Sequence, residues 1–90
     1  MSHLSKDKSK LLSRVRRIRG QVDAIEKALA SDVDCAALLT QVAAVRGASQ
    51  GLLIELLADH LRHHVAERDL LEDRLHAIDD VAAILKSYLR

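Results

Sequence analysis

The residues of this chain with the most specific chemistry are its histidines and its single cysteine. The stretch "ADHLRHHV", Ala58 to Val65, carries three histidines at the tail of a long apolar run. His60 and His64 are four apart, so on a helix they leave one face about 6 Å apart along the axis, a spacing at which two imidazoles can reach one metal ion. His63 leaves a different face and is read as a bystander. An i,i+4 histidine pair is also an ordinary feature of a solvated helix end, so further ligands must come from elsewhere in the layout.

The elements that would position them follow from apolar period. Leu11, Val15, Ile18, Val22, Ile25 and Leu29 step by four and three, which predicts an amphipathic helix from about residue 5 to 30 with one buried face and Ser5 as its N-cap. The turn "ASDVD" follows, with Asp32 or Asp34 available to cap the next helix. That helix is expected from about Cys35 to Ala66. Its stripe is Leu38, Val42, Val45, Ser49, Leu52 and Leu56, and a second row, Leu39, Ala43, Leu53, Leu57 and Leu61, makes it apolar over most of its circumference. Such a helix belongs in the centre of an assembly. Gly47 and Gly51 within "RGASQG" cost about 1 kcal/mol each in a helix, which close approach of a second backbone can offset. A third helix is expected from near residue 70, with Leu71, Leu75, Ile78, Ala82, Leu85 and Leu89 as its stripe and Asp69/Glu72 as a capping box. The fold class is all-α, a three-helix protomer that assembles with other copies.

This layout brings more ligands to the histidine pair. With a short turn centred near residue 33, helices 1 and 2 run antiparallel and residues 3 to 6 fall beside residues 60 to 63, which delivers His3 to His60 and His64. Cys35 starts helix 2, 25 residues from His60, roughly 37 Å at 1.5 Å per residue. It cannot share an ion with His60 of its own chain. If two copies of helix 2 pack antiparallel, Cys35 of one lies beside His60 and His64 of the other, so a site using all four residues lies between subunits. At a helix N-terminus the dipole favours the thiolate, the metal-binding and nucleophilic form; a buried structural cysteine is the competing reading. One thiolate with several imidazoles suits Zn(II), Ni(II), Co(II) or Cu(II) better than Cu(I). His76, on the polar side of helix 3, is expected to be solvated.

Charge points to a second partner. Net charge is +1, yet seven of the 14 basic residues lie between Lys6 and Arg19, against the single acid Asp7. Lys6, Lys10, Arg14, Arg17 and Gln21 form a row beside the apolar stripe, with Arg16 and Arg19 on its other side. Such a face can neutralise phosphates, although a solvated amphipathic helix reads similarly. There is no recognition-helix pattern and no set of aromatic residues to stack on bases. DNA binding would need several copies of the row acting together, with indirect readout contributing to specificity.

Composition closes off other classes. The chain is 90 residues with 49% hydrophobic content but a single aromatic residue, Tyr88, and no proline. A core of Leu, Ala, Val and Ile this small is commonly completed by oligomerisation. One cysteine cannot form an intrachain disulfide, which suits a reducing compartment. No apolar h-region opens the sequence and no run of about 18 apolar residues exists, so a cytoplasmic protein without a membrane partner is expected. Catalysis is not expected: there is no phosphate loop, no paired-carboxylate cleft and no triad context around any serine.

Taken together, "RVRRIRGQVDAIEKAL" (Arg14 to Leu29), "DCAALLTQVAAVRGASQGLL" (Asp34 to Leu53) and the His60/His64 pair resemble the CsoR/RcnR-type bacterial repressors over nearly the whole chain. The resemblance implies a tetramer, a dimer of dimers without a helix-turn-helix, that binds operator DNA when unliganded and releases it when an inducer binds. The set His3, Cys35, His60 and His64 is similar to the nickel/cobalt-responsive branch, which controls metal efflux. The copper branch has a second cysteine where this chain has His64. The persulfide branch also needs two cysteines. The formaldehyde-responsive branch has the same cysteine and a very similar helix 1, but proline where this chain has Ser2. Zn(II) remains chemically admissible. For DNA the resemblance implies Arg14 and Arg17, then Lys10 and Arg16, with Arg46 serving either DNA or packing.

Overall fold

The computed structural model describes residues 8–88, built as three helices: α1 Lys8–Ala30, α2 Cys35–Leu61 and α3 Leu71–Tyr88. No strand occurs among the described residues. The expected residue-5 start of helix 1, the Ser5 cap, Lys6 and His3 lie outside them.

Local chemistry accounts for the element ends. At the first turn, the Ser31 N–H and hydroxyl both donate to the Ala28 carbonyl, closing α1. Asp34 is the N-cap of α2: its carboxylate accepts from the Ala37 N–H at 3.2 Å and its carbonyl from the Leu38 N–H at 3.0 Å. Helix 2 continues to Ala66 as expected, but its last turn, Arg62–Ala66, is π-helical, closed by the Glu67 N–H on the Arg62 carbonyl at 3.1 Å. A π-turn inserts one residue into a helix, and such bulges occur frequently at functional sites. α3 begins at Leu71, close to the expected position, yet the capping-box register is shifted. The Leu70 carbonyl accepts the first intrahelical bond, from the Arg74 N–H, which leaves Asp69 one position too early to be the cap. Glu72 and Asp73 in the first turn and Lys86 in the last complement the helix dipole instead.

By their contacts the described residues divide into two compact units, one containing 8–53 and one containing 54–88. In the first, the less exposed positions of α1 are Leu11, Arg14, Ile18, Gln21, Ile25 and Ala28. This differs from the expected buried stripe, because Val15, Val22 and Leu29 are 41%, 48% and 65% exposed. The facing side of α2 is Leu38, Gln41, Val45, Ala48 and Gly51, while Leu39 and Val42 remain exposed. Arg14 lies across Gly51: a Cβ there would sit 3.1 Å from its guanidinium. The pairing of 14 with 51 matches the expected antiparallel register about residue 33. The α1 stripe is therefore split, one half turned toward α2 of the same chain and the other left open.

In the second unit, α3 packs on the π-turn. Its buried residues are Ala77 and Val81, not the expected stripe, since Leu71, Leu75, Ile78 and Leu85 are all exposed. Two small side chains let α3 approach closely, which leaves its large apolar residues outside. Period identifies an apolar face but not the neighbour that covers it.

Candidate metal centre and nucleic-acid face

The end of α2 is the most chemically loaded part of the molecule. His60 and His64 straddle the change from α- to π-helix, and their rings stack with centroids 4.7 Å apart and planes at 29°. The Nε2 of His60 is buried without a hydrogen-bond partner among the described residues. A buried ring nitrogen without a partner is costly, and a ligand is one way to satisfy it. Among the described residues, no three of His, Cys, Asp and Glu stand together closely enough to hold a metal ion. The pair thus offers two donors, and a complete set must draw on residues beyond that group.

His63 is engaged elsewhere, as expected. Its Nδ1 donates to the Glu67 carboxylate at 2.9 Å, and its Nε2 lies 3.9 Å from Asp59. Asp59 is the buried charged residue among the described residues of this unit, and Arg62 donates to it at 3.2 Å. Its burial is compensated by that partner. Asp59 was missed in the sequence; the visible signal was its i,i+4 relation to His63.

Beside the pair lies a cavity of about 300 Å³ whose walls include His60, His64 and Arg68 on one side and Asp73, His76 and Asp80 on the other. Arg68 donates to the Nδ1 of His64 at 3.4 Å. It too was missed, although it stands four residues after His64. His76 is 81% exposed, as expected, but it also borders this cavity and sits 4.0 Å from Asp80.

Cys35 is the first residue of α2 and is exposed as a free thiol. An exposed thiol at a helix start is reachable by a partner chain or a small electrophile. On α1, Lys10, Arg16 and Arg17 are exposed, and so is Arg46 on α2. Arg14 is only half-exposed, laid over Gly51. Gln21, read as continuing the basic row, turns its Oε1 into the hairpin, where it is buried without a partner among the described residues.

Residues 7–87 match the sequence model described as "Metal-sensitive transcriptional repressor". The chain belongs to the CsoR/RcnR family of metal-sensitive transcriptional repressors. It is 40% identical over its whole length to the transcriptional repressor RcnR of Salmonella paratyphi B, which is covered completely. It is 46% identical, again with both chains fully covered, to a Serratia marcescens protein from the bioA 5' region. Among solved structures it resembles a glutamate-to-histidine variant of the formaldehyde-responsive regulator FrmR from Salmonella enterica serovar Typhimurium. That likeness has a TM-score of 0.84 at 45% identity, covering 92% of this chain and 94% of the other. CsoR/RcnR-family repressors bind operator DNA and oligomerise, and a member of the family is a regulator and not an enzyme. No helix among the described residues of this family member is long and apolar enough to cross a membrane.

Proposed function

We propose that residues 1–90 form one repressor domain of the cytoplasm that holds operator DNA when metal-free and releases it on binding nickel or cobalt, derepressing metal efflux genes. The observation that carries this reading is the buried Nε2 of His60, without a hydrogen-bond partner among the described residues, on a ring stacked against His64. His3 and Cys35 complete the set, with Cys35 supplied by another copy, because Cys35 and His60 stand near opposite ends of α2. Zn(II) fits the same donors. The open half of the α1 stripe and the exposed Leu39 and Val42 support a dimer, with the tetramer above it. The exposed Lys10, Arg16 and Arg17 on α1 and Arg46 on α2, with half-covered Arg14, supply the DNA face. Coupling between metal and DNA sites is reciprocal: metal weakens DNA binding by the factor by which DNA weakens metal binding.

The test is an anaerobic titration of the reduced protein with Co(II), followed by absorbance. A thiolate-to-metal charge-transfer band saturating at one ion per chain supports the reading; its absence, with only loose binding, sinks it. Weak d–d bands would mean six-coordination, strong ones a tetrahedral, zinc-like site.

A second reading has its own observation. The exposed Cys35 thiol and the likeness to a formaldehyde-responsive regulator favour an aldehyde-responsive repressor with Cys35 as nucleophile. Ser2, which offers no secondary amine, weighs against it. A formaldehyde adduct on Cys35 in mass spectra, with loss of operator binding, would select this alternative. A helical interaction protein that senses nothing would not keep salt-dependent DNA binding.

A further inference from the structure

We infer that Arg68 is a gate on His64, an internal competitor that must leave before that imidazole can take a metal ion. The inference rests on the metal reading above. A ring nitrogen ligates only through a lone pair, and arginine is a donor with no acceptor capacity. Because Arg68 donates to His64 Nδ1, that lone pair is engaged and the neutral ring carries its proton on Nε2. Neither nitrogen is then ready to ligate. Use of Nδ1 requires the guanidinium to withdraw. Use of Nε2 requires the proton to move to Nδ1, which would set two N–H donors against each other. Both routes break the contact.

Charge acts in the same direction. The guanidinium shares the wall of the cavity with His60 and His64, so it opposes a divalent cation there. Asp73 and Asp80, on the wall formed by α3, are acceptors to which it can turn. Arg68 thereby sets the threshold at which His64 responds, while itself contributing no ligand. It is exposed, so its replacement leaves the fold intact.

The experiment compares wild type, Arg68→Ala, Arg68→Lys and His64→Ala in two measurements. The first is the ring-nitrogen NMR shift of His64 in metal-free protein, assigned with His64→Ala. The Nε2–H tautomer is expected in wild type, with Nδ1–H rising in Arg68→Ala. The second is Co(II) affinity, expected to tighten about three- to tenfold in Arg68→Ala, the worth of one modest hydrogen bond and a nearby charge. Arg68→Lys, which keeps the charge but not the planar fork, should lie between. An Nδ1–H tautomer in wild type, or equal Co(II) affinity in wild type and Arg68→Ala, overturns the gate. If His64→Ala leaves Co(II) affinity unchanged, the metal reading itself fails, and the gate with it. The tautomer measured without metal still reports separately on the Arg68 contact.

Discussion

His60, His63 and His64 lie within five residues yet have three different surroundings. His60 keeps a buried nitrogen without a partner among the described residues, His63 stands between Asp59 and Glu67, and His64 is met by Arg68. Ligand loss should follow this division. His60→Ala and His64→Ala are each expected to weaken Co(II) binding about tenfold or more, at least about 1.4 kcal/mol, in a competition titration with a chelator. His63→Ala should leave Co(II) affinity unchanged and lower the melting temperature only slightly, since the bond it removes, from Nδ1 to the Glu67 carboxylate, is exposed. Equal losses of affinity at all three positions would mean that the stacked pair is not the site. The pairing of 60 with 64 could be read from spacing alone. The company each ring keeps could not, because it depends on the π-turn and on where α3 packs.

At the scale of elements, the caps and the hairpin register carry the consequences. Asp34→Ala removes the carboxylate that caps α2 immediately before Cys35 and should cost about 1 kcal/mol of stability, measured by denaturant unfolding. Asp34→Ser should recover most of it. Gly51 is the seat of Arg14 on α2, and an added methyl group meets the flexible end of that side chain, not backbone. Gly51→Ala should therefore keep the fold and add up to about 1 kcal/mol of helix propensity. The same change should alter operator affinity by moving Arg14, read in a gel-shift titration at fixed salt. Unchanged affinity in Gly51→Ala, alongside a loss in Arg14→Ala, would show that the seat is irrelevant to DNA. Helix number, the turn at residue 33 and the 14-to-51 register were all readable from period and turn chemistry. The π-turn and the Leu70 cap were not, since both are one-residue shifts that leave the apolar period almost intact.

For the whole molecule, the apolar surface left uncovered is the main fact. Val22 and Leu39 are 48% and 65% exposed, and an apolar side chain gains about 1.5–3 kcal/mol on full burial. A charge placed there should be tolerated by one chain and rejected by an interface between copies. Val22→Glu is expected to shift the protein toward smaller species in analytical ultracentrifugation and to lose operator binding along with assembly. A variant that stays assembled would mean that the second copy sits elsewhere. Operator affinity of the wild type should fall linearly in log–log form with salt, with a slope set by the phosphates that Lys10, Arg16, Arg17 and their counterparts in other copies neutralise.

The order of residues along this chain already dictated three helices, an antiparallel turn and a family, because helical period, cap chemistry and the runs around "RVRRIRGQ" and "DCAALLTQ" are properties of neighbours in sequence. Which half of each apolar stripe is covered depended instead on packing. Arg14 and Gln21, read as part of a basic row facing phosphates, are drawn toward α2, while Val15 and Val22 are left open. α3 turns Ala77 and Val81 inward because small side chains permit close approach. The meeting of Arg68 with His64 likewise waited on the folded turn, since a spacing of four brings two side chains near each other but does not choose their rotamers.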